Sequence, residues 1–208
     1  MSNLLSFFIG VFSSLTASYI LSLFGLFSKI VPSKLRKSFD GEFKNQEKAL
    51  EVIRRDAKNS STLCVLVLKG DTFSNPGPSG VLNDLLRDGP INQKYLISCP
   101  DNPFVEQRSR ELRNNLKIGI KSSIDNFNEA ITRNSSIEMR QHSEALRFRI
   151  FIFDNSLYLS FLAPGAPGRE SPMQRYTKSS SGYLALKAYF EHLWEKYVPS
   201  DKDNDASE

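Results

Sequence analysis

The chain has 208 residues, 24% of them charged and 40% hydrophobic, with 15 Phe, 7 Tyr and a formal net charge of +4. That apolar and aromatic content excludes a disordered chain, and the length suits one domain with an appendage rather than two full domains. Two cysteines, Cys64 and Cys99, exclude a disulfide framework and a cysteine-based zinc site; no cofactor is expected. The charge is local. Residues 1–28 carry no Asp, Glu, Lys or Arg, and Lys29, Lys34, Arg36 and Lys37 follow without an acid. Residues 38–208 then hold 23 bases and 23 acids, so the body of the protein has no bulk reason to bind nucleic acid.

The stretch from Leu4 to Ser28 is uncharged for 25 residues, about 37 Å as a helix against about 30 Å of bilayer hydrocarbon. It predicts a transmembrane helix over 1–31, followed by a juxtamembrane linker over 32–44. A cleaved signal peptide fits less well: the basic n-region is missing, the apolar run is long, and no A-x-A site precedes Lys29. The basic cluster after the span predicts a single-pass protein with its C-terminal domain in the cytoplasm. Ser6, Gly10, Ser14, Ser18 and Ser22 recur every four residues, a small-residue stripe that predicts a homodimer or higher homo-oligomer in the membrane.

Phe43, Leu50, Ile53 and Ala57 share a helical face, which predicts a helix leading into the domain between Phe39 and Lys58. A buried strand, TLCVLVL, is expected from Thr62, then a turn-rich loop KGDTFSNPGPSG and a short helix ending at Gly89. QKYLISC predicts a second strand, and a polar helical pattern extends from Pro103 to about Arg133. LRFRIFIFD reads as a central strand, and an Asp-Asn turn joins it to SLYLSFL as a hairpin. A Gly/Pro loop, APGAPGRESP, precedes the last helix, Ser181 to Tyr197, with Leu184, Ala188, Leu193 and Trp194 on its core stripe; 199–208 is a polar tail expected to be disordered. The order β-α-β-α-β-β-α predicts an α/β domain over 45–198, a mixed sheet with helices on both faces.

Arg147 and Arg149 alternate onto one face of the central strand. Two arginines in so apolar a run are costly unless an anion receives them. One reading is a structural partner: Asp154, Glu144 or a helix-borne Glu. The other is a phosphate site, because guanidinium forks match phosphate oxygens. Lys69 in the K-G-D loop follows a strand, where α/β ligand sites form. Ser160 offers a hydroxyl near the motif. Lys178, with Arg175 and Tyr176, sits in the last loop, to close over a ligand or form an exposed turn. Arg108, Arg110 and Arg113 are expected on a solvated face, and Tyr158 and Tyr183 in the core.

Arg147-x-Arg149-x4-Asp154 resembles the H-x-K-x4-D motif of the phospholipase D-like superfamily, with Arg147 at the His position and Arg149 at the Lys position. The flanking KGDTF, KYLISCPDNPF, LYLSFL and SSGYLALKAYFEHLWEKY segments are similar to the same family, over roughly residues 45–197. The resemblance implies a phospholipase D-like α/β/α domain. Active members attack phosphorus with a histidine, and arginine, protonated at any relevant pH, cannot; the family's following G-S-x-N is also missing. The resemblance therefore implies a pseudoenzyme with a retained phosphate cradle at Arg147, Arg149 and Asp154, with Ser160 the nearby hydroxyl; Lys69 and Lys178, from the flanking loops, are the further candidate ligand-binding residues. A small sensor domain on one span also resembles membrane-anchored bacterial antiviral effectors of the inner membrane controlled by cyclic nucleotides. That implies a cyclic (di)nucleotide ligand, a neighbouring nucleotide cyclase or polymerase as its source, and control of membrane-helix assembly and membrane disruption. The alternatives are a membrane-tethered phosphodiesterase or nuclease of the superfamily, and an interaction scaffold with a structural Arg pair.

Overall fold

The computed structural model describes residues 39–197; the expected membrane helix, most of the linker and the tail lie outside them. Among the described residues no helix is long and apolar enough to cross a membrane. Seven strands form one mixed sheet in the order β1-β7-β6-β5-β2-β3-β4. They are β1 (Phe39–Phe43), β2 (Thr62–Val67), β3 (Asn92–Ser98), β4 (Ile137–His142), β5 (Phe148–Phe153), β6 (Ser156–Phe161) and β7 (Met173–Thr177). β2, β3 and β4 run parallel, while β5, β6, β7 and β1 continue the sheet through antiparallel pairings.

Alternation decides what each face carries. Val65, Tyr95, Phe151, Phe153 and Tyr158 point into the larger core cluster. Five helices cover that side: α1 (Gln46–Lys58), α2 (Asp71–Ser74), α3 (Asn83–Asp88), α4 (Pro103–Leu112) and α5 (Leu116–Arg133). Leu66, Leu96, Ile150, Ile152, Leu157 and Leu159 point the other way, onto a single helix, α6 (Ser181–Lys196). The expected mixed sheet with helices on both faces is found.

Several elements differ from the sequence expectation. Phe39–Phe43 is a strand rather than the lead of a helix, because its ladder partner is β7, remote in sequence. The helix begins after Asn45, whose side chain accepts from Lys48 N at 3.1 Å. The long polar helix is two, broken where Arg113 turns left-handed at φ 51° and Asn115 caps α5. β4 and β7 were not expected at all. On α6 the buried stripe is Tyr183, Phe190, Leu193 and Trp194, whereas Leu184 is 58% exposed and Ala188 also faces solvent.

A buried polar knot fastens α1 to the antiparallel half of the sheet. Asp56 of α1 accepts from Ser156 Oγ and Tyr158 OH, both at 2.6 Å, and from Arg175 Nε at 2.9 Å. Arg175 also pairs with Asp40 of β1, so one arginine on β7 joins two strands and a helix. It is a structural ion pair rather than part of an open loop.

Candidate functional site

β5 runs antiparallel to β2, with Leu66 opposite Ile150, which brings Arg149 beside the C-terminal end of β2. There the chain leaves the sheet at Lys69 and turns at Gly70 (φ 84°) into α2. Gly70 is held to that size, since a Cβ would lie 3.1 Å from Ile97 and Phe127. A cleft of about 800 Å³ opens over this end of the sheet, lined by Gln46, Lys69, Asp71, Arg108, Arg149 and the backbone around Gly168, among others. Its volume lies in the range of small-molecule sites, about 300–1,000 Å³.

Arg149 is 7% exposed. Its guanidinium donates to Gln46 Oε1 at 2.6 Å and to the Gly168 carbonyl at 2.7 Å, and its Nε has no partner. Both acceptors are neutral. Among the described residues no carboxylate lies within ion-pair distance, and the Asp71 charge acts only through space. Burial pulls its pKa from 12.5 down to about 10, partly opposed by Asp71, so the group remains a cation at neutral pH. Ser160 stands directly opposite Arg149 in the β5–β6 ladder, hence on the same face, and its buried hydroxyl is also unpartnered. Gln46 Nε2, on the residue that accepts from Arg149, is likewise buried without an acceptor, as is Ser171 Oγ at the end of the 163–171 segment.

Lys69, Arg108 and Arg147, at the same end, have counter-charges. Lys69 lies 3.1 Å from Asp71, with its side chain over Gly119. Arg108, 1% exposed, bonds Glu111 Oε2 at 2.6 Å and the Ala166 carbonyl at 2.6 Å. Arg147 is exposed and lies 3.3 Å from the same Glu111, its guanidinium 5.3 Å from the centre of the Phe104 ring. The two arginines share a face, as alternation requires, but only Arg149 lines the cleft.

The structure thus gathers Arg149, Ser160 and Lys69, with Arg147 just outside. It does not bring Asp154 or Lys178 to them. Asp154 sits in the β5–β6 turn at the opposite end of β5, where it accepts from Ser61 N at 2.7 Å, Ser61 Oγ at 2.9 Å and the Thr62 hydroxyl. Burial raises its pKa, but the Thr62 and Ser61 bonds outweigh that and leave it below the usual carboxylate value. Lys178 is exposed and its amide bonds the Asn155 carbonyl at that same far end.

Sequence reasoning missed Gln46, Arg108 and the 163–171 segment. Arg108, expected on a solvated face, falls instead with Phe104 and the partly buried Leu112 on the i, i+4, i+8 stripe of α4 that packs inward. Neither histidine reaches the cleft. His142 is buried at the end of β4, where its Nε2 lies 3.3 Å from the Val67 carbonyl and its Nδ1 accepts from Glu144 N at 3.2 Å; burial lowers its pKa to about 4. His192 is exposed on α6. Cys64 is free, its thiol pushed up to about 11 by burial. Among the described residues no three His, Cys, Asp or Glu side chains converge as metal ligands would.

No protein-family model matches the chain, and no curated protein matches it. Among solved structures, similar chains include NucT from Helicobacter pylori, at 12% identity and TM-score 0.49 over 76% of this chain and 97% of that one. Nuc from Salmonella typhimurium, a phospholipase D family member, matches at 13% identity and TM-score 0.46 over 76% of this chain and 93% of that one. TrmBL2, an archaeal chromatin protein whose structure shows a novel mode of DNA binding, matches at 14% identity and TM-score 0.45 over 90% of this chain. The chain spans 64% of the length of TrmBL2.

Proposed function

We propose that the protein is a membrane-anchored, non-catalytic sensor whose folded domain takes the phosphate group of a small ligand into the Arg149 cleft. The observation that carries this reading is a buried guanidinium with neutral neighbours and an unpaired Nε. A buried cation without a counter-ion is several kcal/mol unfavourable by rough estimate, whereas a phosphate would supply both the charge and the acceptors. Gln46 Nε2, on the residue that accepts from Arg149, and Ser160 Oγ, opposite Arg149 in the ladder, add unclaimed donors beside it.

The reading keeps the resemblance to the phospholipase D-like superfamily, on the spacing Arg147-x-Arg149-x4-Asp154, and treats the domain as a pseudoenzyme. Its support is chemical: the position of the family's nucleophile is an arginine, and both imidazoles of the chain lie away from the cleft. The sensor role rests on the sequence: an uncharged N-terminal stretch with a small-residue stripe, joined to a neutral domain. A cyclic (di)nucleotide made by a neighbouring cyclase or polymerase, acting in bacterial antiviral defence at the inner membrane, is the ligand and setting we favour. The output would be assembly of the N-terminal helices as a homo-oligomer that disrupts the membrane. Calorimetry on the full chain in mild detergent, with cyclic mono- and dinucleotides as probes, tests the reading. Saturable binding that disappears in Arg149→Met supports it, and the absence of binding by every probe rejects it.

A further inference from the structure

The segment from Ala163 to Ser171 lies along the cleft, and two buried arginines from unrelated elements grip its backbone. Arg108 of α4 donates to the Ala166 carbonyl and Arg149 of β5 to the Gly168 carbonyl, at 2.6 and 2.7 Å. The segment's own backbone hydrogen bonds close within it: Ala166 N to Ala163 O, Glu170 N to Pro167 O, and Ser171 N to Gly168 O. Pro164 and Pro167 have no amide hydrogen to give to the rest of the domain. Gly165, at φ 72° with open space around it, supplies a hinge. The segment is therefore built to move as a unit, held down chiefly by two guanidinium–carbonyl bonds.

Beside the segment are unpartnered buried donors of the domain body, Arg149 Nε, Gln46 Nε2 and Ser160 Oγ, all out of reach of solvent while the segment is down. Gly168 fits tightly over them: a Cβ there would lie 3.1 Å from Leu162 and 3.7 Å from the Arg149 Cζ. A phosphate can reach these donors only if the segment lifts. A phosphate also brings a full negative charge to guanidinium groups whose strap acceptors are neutral carbonyls, and its oxygens fit the guanidinium fork in a bidentate way.

We propose that residues 163–171 are a displaceable strap, whose carbonyl oxygens occupy Arg108 and Arg149 until a phosphate group takes the Arg149 donors and releases it. The inference rests on the reading of the cleft as a phosphate site and adds its regulation: the empty site is self-closed, and occupancy is reported by exposure of the strap. The strap leads through Pro172 into β7 at Met173, which pairs with Phe43 at the C-terminal end of β1.

Hydrogen exchange on the full chain in mild detergent tests the strap, with inorganic phosphate and cyclic di-adenylate as probes and calorimetry alongside. The expected result is at least about tenfold faster exchange of the 163–171 amides on probe binding, the factor for loss of one such hydrogen bond, with amides of β2 and β5 unchanged. Arg108→Met should produce the same acceleration without probe and bind the probe more tightly, because one clamp is gone. Probe binding with unchanged or slowed exchange at 163–171 overturns the strap and leaves the phosphate site standing. Unchanged exchange in free Arg108→Met likewise overturns it. No heat of binding from either probe, in wild type and in Arg108→Met, overturns the phosphate site and the strap together.

Discussion

Replacing Arg149 with Met separates a ligand-binding arginine from a structural one, and the expected cost can be worked from its surroundings. Met keeps the apolar stem that passes Phe151, whose ring centre lies 5.6 Å from the guanidinium, and removes the charge. Burial depresses the pKa from 12.5 to about 10, so holding the charged form inside the folded domain costs about 3 kcal/mol at neutral pH. The substitution abolishes that penalty. Against it stand two lost hydrogen bonds from a charged donor, to Gln46 and Gly168, at about 1.5–3 kcal/mol each. The Gly168 carbonyl still accepts from Ser171 N at 3.2 Å, which lowers the loss. At the lower end of that range the terms cancel, and at the upper end a net loss of about 2 kcal/mol remains. Arg149→Met should therefore unfold within about 2 kcal/mol of wild type, a Tm shift under about 8 °C for a domain of this size, while losing phosphate binding. Thermal unfolding followed by near-ultraviolet circular dichroism gives the first quantity and calorimetry the second. A structural ion pair behaves otherwise, because breaking one strands a buried charge at about 3–5 kcal/mol. A loss of that size, about 10 °C or more, would refute the reasoning.

Other outcomes follow from the same structure. The His142 ring is neutral in the fold, with a pKa near 4 against 6.5 in the unfolded chain, so the unfolded state binds the extra proton between those values. Stability should fall progressively, by up to about 3 kcal/mol, as pH drops from about 6.5 to about 4; a denaturation series over pH in wild type and His142→Gln checks it, the variant being expected to lose the slope. Asp56→Asn should cost about 3 kcal/mol in urea unfolding, since Ser156, Tyr158 and Arg175 share that carboxylate; a change below about 0.5 kcal/mol would dismiss the polar knot as a fastening. Asp154→Asn should lower stability by about 1–2 kcal/mol yet leave phosphate affinity unchanged by calorimetry, because Asp154 pins the β5–β6 turn to β2 far from Arg149. Its contribution should vanish as pH falls below the usual carboxylate range, the folded carboxyl being the more acidic one.

What the sequence made legible was the hydrophobic frame. TLCVLV, KYLIS and FRIFIF are apolar on both faces because helices cover both, and runs of that kind announce themselves without knowledge of neighbours. The exposed or polar strands did not. β4, IEMRQH, offers only Ile137 and Met139 on its core face and lies at the sheet edge. β7, MQRYT, is polar because Arg175 is neutralised by Asp56 and Asp40, residues more than a hundred positions away. For the same reason the site was half visible. Arg149 stood out as a charge in an apolar strand, and Ser160 follows from hairpin register once the Asp-Asn turn is placed. Gln46 and the strap come from the ends of the domain, and only the closed sheet brings them to Arg149. Asp154 matched a spacing whose chemistry the fold does not assemble here: a strand of six residues separates it from the cleft.

The central claim is that a buried, uncompensated guanidinium receives a phosphate. Calorimetric titration of the full chain in mild detergent with cyclic di-adenylate and inorganic phosphate, in wild type and Arg149→Met at matched salt, tests it most directly. The account predicts saturable binding of at least one probe by wild type and none by a folded Arg149→Met. Equal binding by both proteins, or no binding by either, would contradict it.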